Sequence, residues 1–289
     1  MTHQDGHFEG VGGNDIYWQS WLPDRAPRAI VALAHGASEH SGRYAWTAEQ
    51  LTARGYGVYA LDHRGHGRSS GSRALVDRMA NVVADLGTLI ERAAGEHPER
   101  GRPFLLGHSM GGGVALAYAT RHQETLEGLI VSAPLAVLEA ASPLQRIAGR
   151  VLSAIAPKAG VYDIDSSTVS RDPEVVRDYD SDPLNHHGKL PARTVAELSN
   201  EVERFPAAIP ALKLPLLVLV GTGDQLVPPR ASDFVYEMAS SDDKTIKRYD
   251  GLYHEILNEP ERETVVADIA DWLDARTSSE GAAAPPQYP

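Results

Sequence analysis

The chain contains no cysteine. That absence excludes a disulfide framework, a thiol nucleophile and any cysteine-ligated metal site, and it leaves the redox compartment open. Positive charge is scarce as well: 27 Lys and Arg stand against 39 Asp and Glu, a formal net charge of −12 at pH 7. Such a field repels a polyanion and no Lys/Arg cluster offsets it, so nucleic acid is not an expected partner. No apolar run approaches the roughly 20 residues of a membrane span. The first residues, Met1-Thr2-His3-Gln4-Asp5-Gly6, lack the basic n-region and apolar core of a secretory signal. A cytoplasmic location is the expectation. The 289 residues suffice for one large α/β domain carrying an insertion, or for two small domains.

Against these absences stands the run Gly107-His108-Ser109-Met110-Gly111, set between the apolar Pro103-Phe104-Leu105-Leu106 and a small-residue helical run from Gly112 to Thr120. A serine hydroxyl is a poor nucleophile near neutral pH, so catalysis needs it raised from the surface, beside a base and beside preorganised backbone N–H groups. A sharp strand-to-helix turn supplies all three, and the run reads as such a nucleophile elbow. Gly107 and Gly111 sit where a Cβ would meet the neighbouring strand and helix. Taken alone, the pattern also fits a Gly-rich turn in some other α/β protein.

Where such an elbow is catalytic, the acid and then the histidine follow it in the chain. Leu214 to Val220 is a short apolar run suited to a buried strand, and it empties into Gly221-Thr222-Gly223-Asp224, placing a carboxylate at the strand's C-terminal end. Downstream of Asp224 the sequence holds a single histidine, His254, so the base is chosen by elimination. Asp250 and Glu255 are rival carboxylates, but both lie too close in sequence to His254 to approach its ring from across the sheet edge; they read as loop residues.

Apolar strand-like runs alternate with helical patterns, the signature of a mostly parallel sheet covered on both faces. Phe8 to Val11 and Ile16 to Leu22 predict an antiparallel hairpin around Gly12-Gly13-Asn14-Asp15. Strands are expected at Ala29 to Ala34, Tyr56 to Leu61, Pro103 to Leu106, Gly128 to Ser132, Leu214 to Val220 and Lys244 to Tyr249, with helices near Arg43 to Arg54, Val76 to Ala94 and Pro260 to Arg276. From Pro134 to about Pro206 no buried-strand pattern occurs. The expected organisation is therefore a core of residues 1–134 and 207–276, a cap of residues 135–206 over the sheet's C-terminal edge, and a disordered tail of residues 277–289 rich in Ser, Gly, Ala and Pro.

Ala34 to Tyr44 follows the first parallel strand, where a second oxyanion donor is expected, so the backbone N–H groups of Ala37 and Met110 are the candidates. Asp62-His63-Arg64-Gly65-His66-Gly67-Arg68-Ser69 reads as a structural loop tied down by hydrogen bonds. His63 and His66 have metal-like spacing, but two histidines on one loop are weak grounds for zinc, and no metal is expected.

Taken together, HGASEHSGRY, DHRGHGRS, GHSMGG, SRDPEV, YDSDPL and GLYHE closely resemble the monoacylglycerol lipases of the serine α/β-hydrolase family. GHSMGG alone would imply only an esterase; SRDPEV and YDSDPL, in the inserted region, point to this branch. The resemblance spans nearly the whole chain apart from the first few residues and the tail. It implies an α/β-hydrolase fold, a mostly parallel eight-stranded sheet with an inserted, mainly helical cap, and hydrolysis of a monoacylglycerol to glycerol and a free fatty acid without a cofactor. It also implies that Ser109, Asp224 and His254 form the triad, that Ala37 and Met110 hold the oxyanion, and that Glu39, Arg43 and Tyr179 surround the glycerol headgroup. Glu255-Ile256-Leu257-Asn258 departs from some relatives.

Leu144, Ile147, Ala148, Val151, Leu152 and Ile155 recur at helical spacing in the cap, with Arg146 and Arg150 on other faces. This stripe is expected either to pack on the core or to face an acyl tunnel or a lipid surface, the latter giving transient peripheral membrane contact. Each methylene of an acyl chain buried there contributes about 0.8 kcal/mol. Two other functions share parts of the pattern: a lysophospholipase or short-chain carboxylesterase with the same triad, and a hydrolase-fold protein that binds lipid without cleaving it.

Overall fold

A computed structural model describes residues 1–138 and 143–277, with residues 143–146 described by their backbone alone. In chain order the elements are β1 (Thr2–Glu9), β2 (Asp15–Leu22), β3 (Ile30–Ala34), α1 (Ala45–Ala53), β4 (Gly57–Leu61), α2 (Met79–Glu96), β5 (Phe104–His108), α3 (Met110–His122) and β6 (Gly128–Ser132). They continue with α4 (Pro143–Ile155), β7 (Gly160–Tyr162), α5 (Pro173–Ser181), β8 (Leu190–Pro191), α6 (Ala192–Val202), α7 (Phe205–Ala208), β9 (Leu216–Gly221), α8 (Arg230–Met238), β10 (Lys244–Tyr249) and α9 (Arg262–Thr277).

Among the described residues, eight strands form one sheet in the order β1-β2-β4-β3-β5-β6-β9-β10. β2 is antiparallel to both its neighbours, and every other pair is parallel. β3, β4, β5, β6 and β9 are buried at every position, because helices cover both faces. One face packs Leu86 of α2, Leu116 of α3 and Val235 of α8; the other packs Leu51 of α1 and Ile269 and Leu273 of α9.

The hairpin differs from expectation at its outer strand, which begins at Thr2 rather than Phe8. Thr2 to His7 carries no large apolar side chain, and β1 is an exposed edge held by backbone pairing with β2 from Thr2↔Leu22 to Glu9↔Asp15. Hydrophobic alternation therefore cannot reveal it.

Between β6 and β9 the βα rhythm stops, and the chain forms an inserted, mainly helical cap. It also contains a two-stranded pair, β7 with β8, too short to leave a pattern in the sequence. α6 packs against α4, α3 and α2. The Thr194 hydroxyl donates to the Ala74 carbonyl at 2.7 Å and accepts the Val76 N–H at 2.9 Å, pinning α6 to the core. His40 Nε2 lies 2.9 Å from Asp182 Oδ2, and the His186 N–H donates to the Ser38 carbonyl at 2.9 Å, so the cap also grips the loop after β3. On α4, Ile147, Val151 and Ile155 are 58%, 52% and 75% exposed, so these residues of the apolar stripe face outward rather than onto the core. The side chains of Leu144 and Arg146 lie outside the described residues. Thr277 closes α9, and the remainder of the expected tail, residues 278–289, lies outside them too.

Parallel pairing brings the C-terminal ends of β3, β5, β9 and β10 to one edge of the sheet, beneath the cap. Ala37, Ser109, Asp224 and His254 all lie on the connections that leave these ends.

Candidate active site

Ser109 stands alone between β5 and α3 with φ 55° and ψ −120°. A non-glycine residue reaches that region only when its surroundings hold it there. The Ser109 N–H donates to the Ser132 carbonyl at 2.9 Å, while its own carbonyl accepts from Gly113 and Leu135, each at 3.0 Å. The close crossing of β5, α3 and β3 explains the flanking glycines. A Cβ on Gly111 would stand 2.1 Å from the Ala34 oxygen, and one on Gly107 would stand 2.4 Å from the Gly111 oxygen.

Asp224 follows β9. Its Oδ1 accepts the N–H groups of Leu226 at 2.8 Å and Val227 at 3.0 Å, which fixes the carboxylate, and Oδ2 lies 2.7 Å from His254 Nδ1. A carboxylate only accepts, so Nδ1 carries the proton and Nε2 presents a lone pair. That Nε2 lies 2.8 Å from Ser109 Oγ. Burial alone would depress the His254 pKa; the Asp224 charge and hydrogen bond, with help from Glu255 and Glu39, outweigh it and hold the pKa above its usual value of 6.5. Of the rival carboxylates, Asp250 accepts from the Thr222 hydroxyl at 3.1 Å and Glu255 is bound to Arg43; neither reaches the imidazole.

Ala37 and Met110 flank Ser109, and among the described residues neither backbone N–H donates to a protein acceptor. His35 braces the loop between β3 and Ala37. Its Nε2 accepts the His63 N–H at 2.9 Å, so Nδ1, 2.7 Å from the Gly36 carbonyl, is the protonated nitrogen.

The hydroxyl opens into a cavity of about 630 Å³ between cap and core. Its walls include Leu135, Val137, Ile164, Val169 and Leu198, while Glu39, Tyr179 and Glu255 give one part of it polar character. A strained serine, an imidazole aimed at it, a buried carboxylate behind the ring and two free backbone donors together equip the site for acyl transfer.

A family model described as "Serine aminopeptidase, S33" matches residues 25–261. A monoacylglycerol lipase of Mycolicibacterium smegmatis is 42% identical over 273 residues, covering 94% of this chain and 97% of that protein. The human monoglyceride lipase is 36% identical, covering 97% and 93%. Among solved structures, the monoacylglycerol lipase of Paleococcus ferrophilus superposes with a TM-score of 0.81 at 31% identity, covering 90% of this chain and 99% of its own. The chain belongs to the monoacylglycerol lipase family of serine α/β-hydrolases.

The polar residues that resemblance to this lipase family singles out are not equivalent in the structure. Glu39 and Tyr179 line the cavity; Arg43 does not, and sits behind Tyr179 with its guanidinium 4.8 Å from the ring centroid. Glu39 Oε1 accepts the Gly36 N–H at 2.5 Å and the Tyr44 hydroxyl at 2.7 Å, and Oε2 accepts from Arg43 at 2.8 Å. Arg43 then makes a two-pronged contact with Glu255, 2.7 Å at each prong. Burial would raise the Glu255 pKa, but Arg43 dominates and draws it down to about 2.

Two residues escaped sequence reasoning. Glu255 read as a loop carboxylate, because its partner Arg43 is 212 residues away and nothing local announces the pair. His108, the unremarked second residue of the elbow, places its ring 4.8 Å from that of His254 and bonds Ser132 Oγ at 3.1 Å; burial and the neighbouring His254 push its pKa down to about 3. The Asp62 to Ser69 loop is tied down mainly by its charged residues; among the described residues, both ring nitrogens of buried His63 and Nε2 of buried His66 lack a hydrogen-bond partner. Asp62 accepts from Ser41 and from the Arg68 N–H, and Arg64 pairs with buried Asp85 at 2.7 Å.

Proposed function

We propose that this protein hydrolyses monoacylglycerols to glycerol and a free fatty acid through a covalent acyl-enzyme. The observation that carries the reading is the hydrogen-bonded chain Ser109–His254–Asp224 in the cavity described above, within a chain of this family. His254 Nε2 takes the proton as Ser109 Oγ attacks the ester carbonyl, and Asp224 holds the tautomer and stabilises the imidazolium. The N–H groups of Ala37 and Met110 receive the oxyanion, each worth about 3 kcal/mol in the transition state. His254 returns its proton to the departing glycerol, then activates water to release the fatty acid.

Headgroup recognition is assigned to the polar part of the cavity. The Tyr179 hydroxyl makes no hydrogen bond among the described residues, and the Glu39 carboxylate keeps acceptor capacity beyond its three donors, so both suit the free hydroxyls of a glycerol monoester. Arg43, which does not line the cavity, is assigned no contact with the headgroup. A triacylglycerol would need two further acyl chains in that polar space, so monoacyl substrates are preferred.

Fatty-acid release from a long-chain monoacylglycerol, a lysophosphatidylcholine, a triacylglycerol and a short-chain nitrophenyl ester tests the reading. The expected result is preference for the monoacylglycerol, abolished in Ser109→Ala with the fold intact. Equal turnover of the lysophospholipid or the short ester would discard the glycerol site, and turnover retained by Ser109→Ala would discard the mechanism.

Among the described residues no helix is long and apolar enough to cross a membrane. We assign transient membrane contact to the outward face of α4, where Ile147, Val151 and Ile155 recur every fourth residue. Replacing all three by serine should lower co-sedimentation with lipid vesicles and leave hydrolysis of a water-soluble ester unchanged.

A further inference from the structure

Arg43, Glu39 and Glu255 form a buried charge cluster, their side chains 10%, 3% and 6% exposed. Removing three charges from water is costly, and such clusters seldom stabilise a fold more than well-packed apolar residues would. A stability role is thus a poor reason for this one. Its connections suggest a better reason, because each glutamate belongs to a different part of the reaction centre.

Glu255 directly follows His254, and its N–H donates to the Val169 carbonyl at 2.8 Å while Oε2 accepts from Asn258 Nδ2 at 2.9 Å, so its own backbone and carboxylate are both fixed. At the other end, Glu39 Oε1 accepts the Gly36 N–H, one residue before the Ala37 N–H that faces the developing oxyanion. Arg43 Nη1 donates to both glutamates, at 2.8 and 2.7 Å, and Nη2 makes the second bond to Glu255 at 2.7 Å. The result is an unbroken path of short charged hydrogen bonds from the loop after β10 to the loop after β3. Among the described residues, no direct hydrogen bond joins these two loops otherwise.

We propose that Glu255 is a positioning residue: through Arg43 and Glu39 its carboxylate fixes the loop that carries His254 relative to the loop that carries Ala37, setting the distance between general base and oxyanion donor. The assignment rests on the triad reading above. It differs from a headgroup role for Arg43, because a positioning residue acts on every ester, with or without glycerol.

The distinction sets the experiment. Wild type, Glu255→Gln, Glu255→Asp, Arg43→Lys and Ser109→Ala are compared on a long-chain monoacylglycerol and on the nitrophenyl ester of the same acid, together with the rate of Ser109 labelling by a fluorophosphonate and the Tm of each protein. Glu255→Gln and Arg43→Lys should lower kcat by about 10- to 100-fold on both esters with KM changed less than about threefold, and slow labelling in parallel. Glu255→Asp, which keeps the charge, should recover part of the loss.

The acid limb of kcat/KM gives a second readout. The groups facing His254 are Asp224 after β9, Glu39 after β3, His108 at the end of β5, and Glu255 with Arg43. Removing the Glu255 charge withdraws a group that favours the imidazolium and leaves Arg43 less neutralised, so the limb should move to lower pH in Glu255→Gln and return in Glu255→Asp. A raised KM confined to the monoacylglycerol, with normal kcat on the nitrophenyl ester, would overturn the proposal in favour of headgroup binding. Loss of Tm with kcat per labelled site and the acid limb unchanged would reduce the cluster to a structural role. If Glu255→Gln does not fold, Glu255→Asp and Arg43→Lys carry the same comparison. Turnover retained by Ser109→Ala would sink the triad reading itself, separately from the positioning role.

Discussion

At the scale of single residues, the site depends on which atoms are left free. Asp224 spends Oδ1 on two backbone N–H groups and keeps Oδ2 for His254, so substitution by asparagine preserves the packing while offering the ring a donor or a neutral acceptor. Asp224→Asn is expected to reduce kcat by about 10⁴-fold with little change in KM, the outcome of a wrong tautomer. Steady-state kinetics on a soluble ester checks this. Because His254 titrates above its ordinary value of 6.5, kcat/KM of the wild type should fall as the pH drops through a point above 6.5, where the imidazolium forms and the base is lost. A pH–rate profile with its acid midpoint well below 6.5 would contradict the electrostatics of the pair. That Ser109, Asp224 and His254 come together was legible in the sequence because the chain order of the proposed triad constrains it and only one histidine follows Asp224. Glu255 was not legible, since a buried arginine's choice of carboxylate is made in three dimensions.

At the scale of elements, the elbow is a packing problem solved by missing side chains. A β-carbon on Gly111 would intrude to 2.1 Å on the Ala34 oxygen and 2.4 Å on the His35 oxygen, both backbone atoms at the end of β3. Gly111→Ala should destabilise the protein by about 3 kcal/mol through this overpacking. It should also slow phosphonate labelling of Ser109, since the same displacement moves Ala37; urea unfolding and a labelling time course measure the two effects separately. The buried strands were readable as apolar runs because both faces of the sheet are covered. β1 and the β7–β8 pair were not, since an exposed edge and a pair of two- and three-residue strands carry no hydrophobic signature. The α4 stripe was legible as amphipathic but ambiguous in direction: periodicity shows that a helix has an apolar face, not whether protein or lipid meets it.

At the scale of the whole molecule, buried imidazoles govern the response to acid. Burial holds His63 at about 3, His66 at about 4 and His108 at about 3, and keeps His35 well below 6.5. In the unfolded chain each titrates near 6.5, so below that pH the unfolded state binds protons that the folded state refuses, and stability falls as the pH drops toward 4 and 3. Each of the three with a stated value costs on the order of 2 kcal/mol at pH 5 relative to pH 7 or above. His254 opposes them, because its raised pKa favours the folded state as the pH falls. Urea unfolding should therefore show lower stability at pH 5 than at pH 7, with a smaller difference in His66→Gln; equal stability at the two values would show that the cluster is accessible to protons in the native state.

The parallel sheet also dictates when the site comes into being. Ser109 and His254 are 145 residues apart, and Asp224 lies 30 residues before His254, each following a different strand, and the neighbours of these strands in the sheet are not all neighbours in the chain. Helices such as α2 and α3 form from local contacts, whereas Ser109 meets His254 only after β5, β6, β9 and β10 have closed in register across long loops, a slow class of event. During refolding, ellipticity should return before esterase activity does, and the lag between them would time the last strand's arrival at the sheet.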